Sequence, residues 1–195
     1  YQVVMALGFL LYTLVALVHL RRILLVYFND RVAAWTIVLI TIGTNWFHFM
    51  TVKNLETANA LFMLMAVLVW NTMEWHRSGR FRNLTWIAVS LAMLTLVKPS
   101  EVLAVLIPLL WGVHDRETWR SKWELIVRQR SHIFKAMGIG LLILLPQLTY
   151  WWVRTGSPVF DSYKNPGVGL DLWSPHVMDA LFSFRKGWLL YTPIM

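Results

Sequence analysis

Long apolar runs alternate with short polar breaks along this chain. Residues 1–20 are almost wholly apolar and stop at Arg21-Arg22. Residues 32–50 and 58–73 are further apolar runs, joined by a polar stretch that carries Lys53 and Glu56. Residues 84–113 hold two apolar arms around the tetrapeptide Lys98-Pro99-Ser100-Glu101. Residues 136–153 form another run, and 187–195 open one more. A helix rises 1.5 Å per residue, so about 20 apolar residues match a hydrocarbon core of ~30 Å. The pattern predicts an all-α fold: a polytopic transmembrane helical bundle of about six spans plus the start of another. It reads as one domain over 1–195, with an extracytoplasmic loop at 154–187.

The charge-bearing centre of 84–113 sets the topology. Arg77, Arg80 and Arg82 precede the arms, and Arg116, Arg120 and Lys122 follow them. Basic flanks belong on the cytoplasmic side. With both flanks inside, the arms form a helical hairpin whose tip is Lys98–Glu101. Each arm of about 15 residues reaches roughly 22 Å, so the tip stops within the membrane's depth on the outer side. The competing arrangement, one long Pro-kinked helix, puts a basic cluster outside. Of the eighteen Lys and Arg residues, twelve fall on inner segments under the hairpin topology. The outer six are Lys53, Lys98, Arg154, Lys164, Arg185 and Lys186.

Local signals refine the elements. Asn29-Asp30 reads as a turn and helix cap, and Ser78-Gly79 as a turn. Pro99 suits the first position of a helix, and Glu101 its first turn. Within 114–135, Trp119, Trp123, Ile126, Val127, Ile133 and Phe134 recur at near-helical spacing among six cations, Lys122 included. That predicts a helix on the inner membrane surface, aromatics in the interface and cations toward the headgroups. Pro146 should kink the span around it. Ser174-Pro175 reads as the cap of a helix running to about Phe184. Met63 and Met65 read as packing, and His19 as facing headgroups or solvent.

Composition supports the membrane reading. The chain is 57% hydrophobic, with 12 Trp and 14% charged residues, against about 25% charged in soluble domains. The net charge of +8 sits at the ends of apolar runs. Membrane orientation and anionic lipid therefore account for it, and no nucleic-acid partner is expected. There is no cysteine. HExxH, CxxC, GxGxxG, P-loop and GxSxG patterns are absent, so neither a metal nor a cofactor is expected. Tyr1 opens the chain and an apolar run closes it, so it reads as a piece of a longer protein.

Charge inside a membrane is costly unless it faces protein or a water-filled cavity. Lys98 beside a helix N-terminus is therefore a candidate anion site, although Glu101 could simply pair with it. Ser100, Glu101, Asn45, His48 and Tyr163 are the candidate cavity lining.

Three short motifs carry a family resemblance: Leu96-Val97-Lys98-Pro99-Ser100-Glu101; Leu144-Leu145-Pro146-Gln147 with Tyr150-Trp151 and Thr155-Gly156-Ser157-Pro158; and the stretch from Leu181 to Trp188 leading into Tyr191-Thr192-Pro193. The chain resembles part of a GT-C superfamily membrane glycosyltransferase, of the bacterial protein O-mannosyltransferase and aminoarabinose-transferase kind. The resemblance implies an enzyme of the bacterial inner (plasma) membrane. It would move a sugar from a polyprenyl-phosphate donor to a lipid, protein or glycan acceptor on the extracytoplasmic face. It also implies that Lys98, Arg185, Lys186 and Arg154 bind the donor phosphate. The family's general base is an acidic residue in the first outer loop. No acidic residue lies in the outer part before Lys53, so the catalytic base is unknown and is expected in a missing N-terminal loop. This piece alone is then expected to be inactive. The alternatives are a membrane transporter or lipid flippase, for which the intramembrane charges Lys98 and Glu101 speak, and a non-catalytic scaffold.

Overall fold

The computed structural model describes residues 2–51, 57–158 and 177–184, and every regular element among them is helical. α1 (Gln2–Tyr27) is the first apolar run, carried past Arg21-Arg22 to Tyr27. Asn29 then caps α2 (Asp30–Gly43): its Oδ1 accepts from the Val32 N–H at 2.9 Å. This supplies one of the donors at a helix start with the partner it otherwise lacks. The run expected over 32–50 is not one helix. It breaks at Thr44-Asn45 and resumes as α3 (Trp46–Thr51). The Thr44 hydroxyl donates to the Ile40 carbonyl (2.7 Å) and accepts from the Trp46 N–H (3.2 Å), so a side chain competes with the backbone ladder at the break.

α4 (Ala58–Ser78) and α5 (Phe81–Val97) form the central antiparallel pair. Gly79 turns the chain between them. Its φ is +64°, and its N–H donates to the Trp75 carbonyl at 2.8 Å. α5 ends at Lys98, whose extended backbone reverses the chain. A 3₁₀ segment (Pro99–Val105) and the short α6 (Leu106–Leu110) return along α5 and α4. The hairpin is thus present, with a tighter second arm than the expected α-helix. α7 (Arg116–Arg128) follows, started by an Asp115 capping box. α8 (Arg130–Thr155) begins directly after Gln129 and runs through Pro146 without a break. Arg130 and Lys135 therefore belong to α8, not to the surface helix. α9 (Val177–Phe182) lies within the helix expected after Ser174-Pro175.

α1 packs on α4, and α8 packs on α5. Small residues lie buried on these outer helices: Thr13 and Ala16 on α1, Ala136 on α8. Small side chains let helix backbones approach where lipid gives no hydrophobic push. Gly140 of α8 crosses α5 against Ala88 and Ala92. The core joins Leu64, Leu68 and Trp75 of α4 to Leu84, Ile87 and Leu94 of α5, with Ala104 of the return arm.

α1 and α8 are long and apolar enough to cross a membrane, by length and composition. Only 11% and 6% of their apolar windows are buried, unlike the core helix of a soluble domain. The six spans read from the sequence are not all met in this way. α2 has 14 residues and α5 has 17, about 21 and 26 Å, short of a ~30 Å core. α4 is long enough at 21 residues but carries Asn59, Asn71 and Glu74.

A side chain on Gly79 would have to displace the Gln129 amide from its bond to the Gly79 carbonyl. A Cβ there would sit 2.6 Å from the Gln129 amide nitrogen, on a backbone that L-residues avoid. Gly79→Ala should lower stability by about 2 kcal/mol or more, from the left-handed backbone and the collision together. Gly138→Ala, with open space around it in α8, should leave the thermal midpoint unchanged or raised. Melting both variants in detergent checks the contrast.

Candidate functional site

The fold has two ends. At one, the α4–α5 turn, the end of α6, α7 and the start of α8 come together; it carries Arg77, Arg80, Arg82, Arg116, Arg120 and Arg130. At the other lies the hairpin tip. α5 and α8 rise side by side from the basic end: the Phe81 and His132 rings are 5.2 Å apart, and Gly140 meets Ala88 and Ala92 further along. From that crossing Lys98 lies about 8 residues on and Arg154 about 14, a difference of roughly 9 Å along the axes. The tip is therefore recessed below the end of α8.

At the tip, Pro99 occupies the first helical position, and Glu101 N–H donates to the Lys98 carbonyl at 2.9 Å. Lys98 Nζ is 3.8 Å from Glu101 Oε1. The Lys98 side chain is 54% exposed and that of Glu101 25%. This is a loose pair that leaves most of the ammonium free for another anion. Ser100 is exposed beside it.

Asn45 and His48 are exposed. The polar contact of that region is instead made by Asn59, which sequence reading passed over. Asn59 accepts from Trp46 Nε1 at 3.1 Å and donates to the Phe49 carbonyl at 3.1 Å. It is buried, with Trp46 stacked at a tilt on Phe62. A polar residue so satisfied locks α3 onto α4 and lines nothing open. Arg154 is exposed in the last turn of α8, at the tip's end of the bundle. Arg185, Lys186 and Tyr163 lie outside the described residues, as do Lys53 and Glu56. Among the described residues no group of three or more His, Cys, Asp or Glu side chains could hold a metal ion.

The basic end holds the cluster that sequence reading missed. Lys122, expected as a surface cation, is buried at 6% exposure. Its ammonium donates to the Pro108 carbonyl at 2.6 Å, to the Trp111 carbonyl at 3.5 Å and to His76 Nε2. It also lies 5.5 Å from the Trp75 ring centroid. His76 Nδ1 contacts the Thr72 carbonyl at 2.8 Å. A carbonyl only accepts, so Nδ1 carries the proton and Nε2 offers its lone pair to Lys122. Beside this cluster Trp75 Nε1 donates to Gln129 Oε1 (2.9 Å), and Gln129 Nε2 donates to the Gly79 carbonyl (3.0 Å). The signal in the sequence was the helical spacing of Thr118, Lys122 and Leu125, which puts Lys122 on the face of α7 turned to the bundle.

His76 lies in the last turn of α4, past the apolar stretch. Burial holds its pKa below the ordinary value of 6.5, with the Lys122 charge adding to the effect against the Thr72 contact. Burial also pushes Lys122 down to about 8. Both groups are harder to protonate folded than unfolded, so stability rises with pH through each window. Stability conferred by neutral His76 should be lost as pH falls below about 6.5 and through the lowered folded value. His76→Gln keeps an acceptor toward Lys122 and cannot titrate. Thermal midpoints at pH 5 and pH 7 should differ more in the parent protein than in this variant.

No family model matches the sequence, and no curated protein and no solved structure matches it either.

Proposed function

We propose that this chain is the membrane part of a GT-C-like glycosyltransferase, in which the hairpin tip holds the phosphate of a polyprenyl-phosphate sugar donor. The observation that supports this reading is the recessed, half-exposed ammonium of Lys98, paired only loosely with Glu101. Such a charge needs either water or an anion. In this reading the spans number about six, the basic end faces the cytoplasm of a bacterial inner membrane, and the tip faces the extracytoplasmic side.

During transfer the bond between the sugar's anomeric carbon and the phosphate oxygen breaks. The acceptor oxygen takes the anomeric carbon and loses its proton to a general base, to which no residue is assigned. The electron pair stays with the leaving phosphate, where a fixed cation stabilises the growing charge. Lys98 acts there as a point charge, whereas Arg185 or Arg154 suits two-pronged contact with phosphate oxygens. Lys186 adds charge beside Arg185. The acceptor is a lipid, protein or glycan.

The Lys98–Glu101 pair, set below the end of α8, also favours a second reading: a transporter or lipid flippase that moves the same anionic lipid unchanged.

Donor binding tests the site independently of the unassigned base. Radiolabelled polyprenyl-phosphate sugar should bind the reconstituted protein, and Lys98→Ala should weaken binding about tenfold, as for loss of one contact to a charged group. Unchanged binding in both Lys98→Ala and Arg185→Ala would reject the site. Label passing across liposomes still on its own lipid, with none transferred to an acceptor, would favour the flippase.

A further inference from the structure

α7 is the most polar helix of the bundle, yet it carries a row of exposed apolar side chains. At 3.6 residues per turn its positions sort into three faces. Thr118, Lys122, Leu125 and Ile126 turn toward the bundle and are partly or fully buried. Trp119, Trp123 and Val127, spaced four apart, make an exposed row on an adjoining face. Arg116 and Arg120 stand next to that row, exposed. Two arginines one turn apart repel each other. Among the described residues neither one forms an ion pair, nor do Arg128 and Arg130 at the other end of the helix. Arg80 and Arg82 add exposed charge at the same end of the bundle, where Gln129 joins α7 to the α4–α5 turn.

We infer that α7 is a docking surface for anionic phospholipid headgroups, with Trp119, Trp123 and Val127 in the interface and Arg116 and Arg120 against the phosphates. Glu117 and Glu124 stand within one turn of Arg120 without pairing with it among the described residues, which leaves Arg116 and Arg120 available to an acidic leaflet. The aromatic row lies beside these arginines, as an interfacial helix requires. Lys122 takes no part: its ammonium is committed to Pro108, Trp111 and His76. The surface thus selects anionic over zwitterionic lipid, whatever the bundle does at its other end.

The chain has no cysteine, so Val127→Cys gives a single attachment point for a fluorophore. The labelled protein goes into nanodiscs of phosphatidylcholine containing a minor fraction of brominated phosphatidylglycerol or brominated phosphatidylcholine. The brominated anionic lipid should quench more, with local enrichment of about fivefold for each arginine engaged at low salt. That preference should fall in 0.5 M salt and in Arg116→Gln/Arg120→Gln. Equal quenching by both lipids at low salt would overturn the inference, and so would no quenching by either. The salt arm uses no further substitution, so it stands even where the double variant folds poorly.

Discussion

The ammonium of Lys122 ties three separate parts of the chain into one end of the molecule. It reaches the carbonyls that close α6, the ring of His76 in the last turn of α4, and it rises from α7. The last carbonyls of a helix have no partners within it, and α6 stops after only five residues. Burying a charge to serve them is costly unless its hydrogen bonds are satisfied. An ammonium has three donors, and here three acceptors meet it. With α6 pinned beside the end of α4, the chain between α5 and α6 has to reverse at the far end. The position of Lys98 follows from that closure.

Arm lengths make the reversal consequential. α8 has 26 residues and α5 has 17, and both start from the same end. The tip must stop short, and the chain returns through a tight 3₁₀ segment before α6. The return arm packs on α5 and α4 through Ala104, which is buried in the shared core, while Val102, Leu103 and Val105 stay exposed. A recessed, solvent-reachable lysine on a rigid hairpin is what the donor-phosphate proposal requires.

Much of this was legible along the chain. The hairpin came from charge flanking two short apolar arms, and the Asn29 cap from residue type and place. The Asp30–Gly43 helix was less so, because an apolar run shows neither the Thr44 hydroxyl competing with the backbone nor the need of Trp46 for a buried partner at Asn59. Lys122 was misread because it sits among five like charges, and only the direction of its neighbours Thr118 and Leu125 sets it apart. The Trp75–Gln129 bond joins residues 54 apart, a relation no local pattern encodes. At the tip, Lys98, Ser100 and Glu101 stand together as their adjacency dictates. Asn45 and His48 were singled out for polarity alone, and both are exposed beside the helix break.

Accessibility at the tip tests the central claim most directly. In a chain free of cysteine, Ser100→Cys and Ser78→Cys each place one thiol, at the tip and at the basic end. A membrane-impermeant maleimide is applied to intact cells and to inverted vesicles. Labelling of position 100 from outside the cell alone, and of position 78 from the cytoplasmic face alone, is the predicted result. Both positions labelled from one face, or position 100 closed to the reagent from either face, would contradict a recessed tip opposite the basic end.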